Sequence, residues 1–516
     1  MAINRYFNNW SVLSIVAMNI RLLISVICLL CSPLLATTYY VANSGSDANN
    51  GTASGTPWQT VTNLNAHIAL GDTALFHSGD EFTNATHTAL YPKGTNYFGV
   101  YGGTALAIID GNTNEGCMAV TNMNQVYFTN IWFKCVISDT NENNQFNGAC
   151  VYLIGNTASN TKYTNFLFTG CVFTGSTEGI WGEAPSTNFV DGVYNVTITN
   201  FTCSNQTANA VQPFTDNESA SFTIGPTVKF QFGNWLVTHG LFNHITGDTI
   251  QKGSGSAFEM FDCTNCIVEW TTNINSTASN NASGAGGGPV GGFFQMSMGC
   301  IAQHNWVYNI HCRFDGTTYQ DGEGGFFDSA TANCIDQYNY IQGCQGGGHY
   351  ATSAGSGGGF SNIIRFNIDV TNNTLANTGN NRQGSDMILA FTGNGNQIYN
   401  NTVITASNCV DTTQCTGTVT ISNNIFATSF PSTTALSGTT TVGNNITPGG
   451  NPNWMTTNGW PNANSPAYWS GTHMVNDGGV YFDGSKISPY GVNLGALEST
   501  NVSSTNGPLL LPNIGT

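Results

Sequence analysis

Three glycine-rich segments recur about every 34 residues in the middle of the chain. Residues 252–259 read KGSGSAFE, residues 288–295 read GPVGGFFQ and residues 321–328 read DGEGGFFD. Each is followed within nine residues by a cysteine and an isoleucine: Cys266-Ile267, Cys300-Ile301 and Cys334-Ile335. The last two continue as Cys-Ile-x-Gln-x-Asn, ending at Asn305 and Asn339. A fixed period in this range marks a stacked repeat. Residues one period apart then become neighbours in columns, so the fold has no single central core to fill.

The units that stack are short strands. From about residue 117 the chain is a series of β-rich runs that end in Asn: Val126–Asn130, Val196–Asn200, Ile363–Asn367, Ile398–Asn401 and Val419–Asn423. Most alternate apolar and polar side chains, as strands with two faces do. Asn tolerates the left-handed backbone of a tight corner. Strand, corner, strand, corner is the grammar of a parallel β-helix. A β-sandwich would instead need hairpin turns. Only 8% of residues are charged, so long amphipathic helices are hard to write here. The expected fold is all-β, a single right-handed parallel β-helix.

Upstream, Tyr39–Val41 reads as a strand, 69–72 as a turn and Thr73–His77 as the next strand. The Gly-rich stretches 279–287 and 353–359 read as loops leaving the stack. The expected organisation is a leader over 1–36, a cap and first coils over 37–116, the β-helix over 117–498 and a disordered tail over 499–516.

The leader rests on Met18 to Ala36, MNIRLLISVICLLCSPLLA, with an apolar run too short for a membrane span. It reads as a secretory signal peptide, with Met18 an alternative start. The expected protein is therefore secreted, extracellular or periplasmic, without a membrane span once the leader is gone. Losing Arg5 and Arg21 with the leader leaves nine basic residues against 28 acidic, a formal charge of −19. Nucleic acid is excluded as a partner, because phosphate binding needs Lys and Arg. Neutral or weakly charged polysaccharides fit better, and a monomer is expected. Thirteen cysteines remain beyond the leader, an odd number that leaves at least one thiol without an intramolecular partner. Cys263 and Cys266 have CxxC spacing without a second pair. Cys266, Cys300 and Cys334 read better as an inward column of small apolar residues.

Several stretches give the chain a family likeness. They are YYVANSGSDANNGT with GDTALFHSGDEF near the start, DGEGGFFDSATANCIDQYNYIQGCQGGG in the middle, and NSPAYWSG to VNLGALE near the end. On these the chain resembles the secreted right-handed parallel β-helix proteins of the pectate-lyase-like superfamily over roughly 37–498. The resemblance implies the fold. It leaves the activity open, because the superfamily holds lyases, hydrolases, epimerases, tailspikes and non-catalytic proteins. The chain lacks the Asn-Thr-Asp, Asp-Asp and Gly-His-Gly series of polygalacturonases, and it has few basic residues to match those of pectate lyases.

Aligned as consecutive coils, the repeats predict columns. Phe258, Phe294 and Phe327 should stack inward. Glu259, Gln295 and Asp328 should form the next column on the opposite face. Lys252, Gly288 and Asp321 form another, and Glu323 stands level with Ser254 and Val290. Glu259 and Asp328, two coils apart, would then be roughly 9–10 Å from each other. That suits inverting glycoside hydrolysis, which holds its carboxyls about 6.5–9.5 Å apart. Asp321 and Glu323 join them only if Gly324-Gly325 makes a bulge or corner. The expected catalytic set is Glu259, Asp321, Glu323 and Asp328, with neighbouring carboxylates pushing their pKa values apart. The competing reading makes these acids corner structure or a Ca²⁺ site, so Ca²⁺ is the one candidate cofactor.

His349, Tyr350, Arg313, Arg365 and Trp181 are the candidate substrate-binding residues. His349 and Tyr350 follow a glycine run, the arginines could clamp a uronate, and Trp181 between Glu178 and Glu183 suits sugar stacking. Packing or solvated roles compete in every case. The first expectation is a glycoside hydrolase. A Ca²⁺-assisted polysaccharide lyase using Lys252, His349 or Tyr350 as base is the alternative, and a non-catalytic glycan-binding or surface protein is the third.

Overall fold

The computed structural model describes residues 36–83, 89–112, 116–135, 148–155, 162–184, 192–214, 230–247, 255–277, 289–314, 319–328, 330–352, 359–370, 372, 385–405, 408–426, 440–443 and 445. Residues 1–35 of the expected leader, Lys252, the stretch 279–287 and everything beyond 445 lie outside these residues.

The chain winds as a right-handed parallel β-helix with three ladders of strands. The first ladder runs from Thr38–Val41 and Thr73–His77 through Ile301–Gln303 and Ile335–Gln337 to Thr440–Gly443. The second runs from Glu81–Thr83 to Ile425–Phe426. The third comprises two smaller sheets. One holds Met118–Thr121, Ala149–Ile154, Glu178–Glu183 and Val211–Phe214. The other holds Glu259–Phe261, Phe293–Gln295, Glu323–Phe327, Gly347–Thr352, Ser385–Ala390 and Asn408–Asp411. A parallel bridge from Val211 to Phe258 joins them into one face. The first ladder already includes Thr38–Val41. The short helix Val61–His67, capped by the Thr60 hydroxyl on Asn63 N–H, packs beside the first coils with Leu64 buried.

Among the described residues one left-handed residue sits at each corner between the first and second ladders from Asn130 on, Gly170 with φ 64° being the one glycine. Asn130, Asn200, Asn400 and Asn423 fill it with φ of 51–58°. Elsewhere the slot holds His239, Trp270, His304, Tyr338 and Phe366, with φ of 53–58°. Bulky residues rarely adopt this backbone. Here their rings stack on one another: Trp270 on His304 at 4.2 Å, His304 on Tyr338 at 5.0 Å and Tyr338 on Phe366 at 5.3 Å. The expectation of Asn at every corner therefore needs correcting at Asn367 and Asn401, where Phe366 and Asn400 make the turn.

Those asparagines do something else. The residue after the corner points inward, and from Asn305 on it is always Asn. The side-chain carbonyl of Asn339 accepts from Asn305 N–H at 2.9 Å, that of Asn367 from Asn339 at 2.8 Å, and so on through Asn401, Asn424 and Asn445. Each amide nitrogen donates to a carbonyl of the coil before, as Asn367 does to Asp336. The ladder starts where Thr271 donates both its N–H and its hydroxyl to Asn305 Oδ1. Before Thr271 the same column is Ile131, Cys171, Phe201 and Gly240. The neighbouring inward columns there are aromatic: Phe98, Phe128 and Phe168 stack at 4.7 and 5.4 Å, and Phe133 stacks on Phe173 at 5.4 Å. Cys266, Cys300 and Cys334 are all buried and superposed, the inward column expected of them.

Candidate functional site

The third ladder carries most of the candidate residues, and its alternation decides which way each one points. Met260, Phe294 and Phe327 are in register and belong to the core. Glu259, Phe293 and position 326 are in register on the outer face, followed by Tyr350. The expected columns are therefore corrected at their first member. Met260, not Phe258, is level with Phe294, although the Phe258 and Phe294 rings still meet at 5.8 Å. Glu259 is level with Phe293, not Gln295.

Asp328 follows the strand that ends at Phe327 and keeps its ladder bond, N–H to Phe294 carbonyl at 2.9 Å. Its position has the outward parity of residue 326, so it shares the outer face with Glu259. It lies two coils on and two residues along, roughly 12 Å away between backbones rather than 9–10 Å.

Glu323 and Asp321 do not join them. The strand Glu323–Phe327 pairs with Gly347–Thr352 without a register shift, so Gly324-Gly325 makes no bulge. The corner comes earlier, at Asp321 and Gly322, with φ of 48° and 94°. Glu323 thus has the inward parity of Gly325 and Phe327 and is buried. Both acids lie near Cys312, whose thiol pKa is raised first by burial and then by the charges of Glu323 and Asp321.

On the outer face Glu259 is 8% exposed and its position is fixed. Its Oε2 accepts from Asn209 Nδ2 and from Gln212 Nε2, each at 2.8 Å. Asn209 also donates to Gln212 Oε1 at 2.9 Å and accepts from Ser256 N–H, which locks the two amides to the backbone. A carboxyl group taken out of water needs such donors to replace its lost hydration. Aromatic rings border this group. Trp181 lies in register with Gln212, its ring 5.3 Å from Phe214, and Phe214 is 5.1 Å from Phe261. Trp181 is 1% exposed, and its buried indole N–H has no hydrogen-bond partner among the described residues. Tyr350 continues the Glu259 column and is also buried.

The other candidates are elsewhere. Arg365 is on the outside of the first ladder, where Nε donates to Gln337 and Nη1 to Tyr399 OH at 2.7 and 2.8 Å. Arg313 is buried in a two-residue hairpin strand paired with Tyr319–Gln320, beside the Asp321 corner. Neither arginine stands on the Glu259 face as a clamp.

His349 faces inward, not into a cleft. It lies between two buried carboxylates, Nε2 at 3.2 Å from Asp336 and Nδ1 at 3.1 Å from Asp369. Asn339 donates to Asp336 at 2.7 Å, and Asp386 accepts from Gly348 N–H at 2.9 Å. Beside this group is an interior cavity of about 20 Å³ bordered by Gly291, Gly324, Gly325, Asp336 and Asn339. Asp336 had a visible signal: it fills the slot of Ala302 in the Cys-Ile-x-Gln repeat, an inward position. Asn209, Gln212, Asp369 and Asp386 had no motif to mark them. Among the described residues the group whose metal-ligand atoms converge within 4.8 Å is Cys117, Cys135 and Cys150, not the expected acids.

No family model matches the chain, and no curated protein matches it. Solved structures do. The native and selenomethionine crystal structures of the GH136 lacto-N-biosidase from Eubacterium ramulus align with TM-scores of 0.51 and 0.54, at 14% and 13% identity. Each alignment covers 80% of this chain and 67% of the other. The likeness is one of fold, and at that level the resemblance read from the sequence holds. Among the described residues no helix is long and apolar enough to cross a membrane.

Proposed function

We propose that this β-helix hydrolyses a neutral or weakly charged polysaccharide on the outer face of its third ladder, with Glu259 and Asp328 as the two acids. The observation that carries the reading is the fixed outward carboxylate of Glu259, held by Asn209 and Gln212 beside the rings of Trp181, Phe214 and Phe261. Of the four acids expected from sequence, these two share a face. The Glu259 carboxylate is held toward the preceding coil, so with backbones about 12 Å apart the pair exceeds the separation of retaining enzymes and stands nearer the wider gap of inverting ones, about 6.5–9.5 Å. One acid would protonate the leaving oxygen while the other activates water.

A second reading is binding without turnover. It is favoured by Phe293, which occupies the coil between the two acids on the same outer face. An apolar side chain between them does not activate water, although Phe293 is 7% exposed and would stack on a sugar only once uncovered.

One panel separates the two readings. Neutral and uronate polysaccharides are incubated with the wild type, Glu259→Gln and Asp328→Asn, with and without chelator. New reducing ends lost in both variants support hydrolysis at this pair. Products that persist in both variants overturn it, and ultraviolet-absorbing unsaturated products that vanish with chelator replace it by a lyase. Retention on a glycan column without product assigns binding.

A further inference from the structure

Three cysteines meet in the core of the early coils. Cys117 precedes the strand Met118–Thr121, Cys135 ends the strand Ile131–Cys135, and Cys150 is in the strand Ala149–Ile154. All three are buried. Cys117 is stacked on Cys150, its N–H donating to the Cys150 carbonyl at 3.0 Å. The Cys117 and Cys135 sulfurs are 2.9 Å apart. That is closer than two non-bonded sulfurs rest, and within about an ångström of the ~2.05 Å covalent bond.

We propose that Cys117 and Cys135 form a disulfide in the mature protein and that Cys150 remains the adjoining thiol. A bound metal explains the site less well. Thiolates on a tetrahedral ion with bonds near 2.3 Å lie about 3.8 Å from one another. The sulfurs of Cys117 and Cys150 also face backbone carbonyls, Lys134 at 3.2 Å and Phe133 at 3.4 Å. Carbonyl oxygens accept from a thiol or border a disulfide, but they repel a thiolate. The odd thiol count leaves one sulfur over in any pairing, and here the leftover is in place.

The bond forms by exchange. The Cys117 thiolate attacks a small disulfide oxidant, giving a mixed disulfide and one released thiol. The Cys135 thiolate then displaces the second thiol. One disulfide is consumed, one is made, and two thiols leave with the two protons. Burial requires that this precede closure of the coils, and afterwards it shields the bond from reductant. The link joins the second ladder to the third at neighbouring coils and closes a loop in the unfolded chain.

The test uses the full chain, exported by its host and purified without reductant. It is denatured in iodoacetamide and digested. Lys134 lets trypsin part Cys117 from Cys135, and Glu142 lets a glutamyl protease part Cys135 from Cys150. The expected result is a cross-linked Cys117–Cys135 peptide with alkylated Cys150. Native protein should keep the link in dithiothreitol and lose it once denatured. Alkylation of all three, a link through Cys150, or stoichiometric metal by elemental analysis would overturn the proposal. A Cys150→Ser variant should retain the link, whereas Cys117→Ala with Cys135→Ala should lower the unfolding midpoint in non-reducing buffer only. Mapping the wild type decides the case even if the double variant fails to fold.

Discussion

Nδ1 of His349 lies 3.1 Å from Oδ2 of Asp369, inside the solenoid. The other ring nitrogen faces Asp336 at 3.2 Å. Burial pulls the His349 pKa down, but the charges of Asp369 and Asp336 outweigh it and hold the ring well above the ordinary imidazole value of 6.5. Burial likewise raises Asp369, and raises Asp386 well above 3.8. A group whose pKa is raised by folding stabilises the fold fully below its unfolded pKa. That contribution is lost as pH rises through the folded value. The contributions of the two acids are lost as pH rises above about 3.8 and that of His349 as it rises above about 6.5, so the unfolding midpoint is expected to fall with rising pH, the histidine adding its part above neutrality. Thermal unfolding followed from about pH 5 to pH 9 checks this. The His349→Asn variant should lose most of the slope above neutrality.

Removing the imidazole altogether strands two buried carboxylates. His349→Ala is expected to cost about 3–5 kcal/mol, the usual penalty for breaking a buried ion pair. A denaturant titration reads it directly. A cost below about 1 kcal/mol would mean that the acids are neutral in the fold.

Asn367 accepts from Asn339 N–H and donates to the Asp336 carbonyl, so Asn367→Ala takes the partner from one buried N–H and one donor from a buried carbonyl. The expected loss is about 2–4 kcal/mol, with unchanged circular dichroism if the coils stay stacked. Asn367→Asp keeps the acceptor alone and should fall between the two in the same titration.

At the corners the backbone favours Asn and the stack favours aromatics. Trp270, 42% exposed at φ 54°, is expected to tolerate Asn within about 1 kcal/mol, because lost stacking is offset by an easier left-handed turn. Trp270→Val should cost more, since a β-branched residue gains neither. Paired melting curves of the two variants distinguish them.

Glu323→Gln and Asp321→Asn should leave any glycan turnover within about threefold of wild type, whereas Glu259→Gln should lower it about a hundredfold or more. The same reducing-end assay serves all three. Equal losses in all would mean that the acids converge in the bound state.

The fold was legible because periodicity and corners are local. Asn130, Asn200 and Asn423 mark turns by backbone preference alone, and Thr73–His77 is a strand with the bounds read from its alternation. The site was less legible because columns depend on register. Aligning on the phenylalanines placed Phe258 beside Phe294. The 34-residue step of Cys266 to Cys300 instead sets Glu259 beside Phe293, as found. The next step on the same ladder, Phe293 to Phe326, is one residue shorter than Cys300 to Cys334, so a corner absorbs the difference. Asn401 misled for another reason. A left-handed corner and an inward amide both select Asn, and spacing alone does not tell which demand is being met.

The change at Thr271 makes the solenoid a rod of two materials. Its early coils are filled by rings, Phe98, Phe128 and Phe168 among them, and its later ones are threaded by amides from Asn305 to Asn445. Apolar filling loosens on cooling and carries a large heat capacity, while hydrogen-bonded amides respond far less. Chilling is therefore expected to soften the leading half more than the trailing one, which keeps an apolar lining of its own beside the amides, and to load the joint at Thr271 as in any bonded composite.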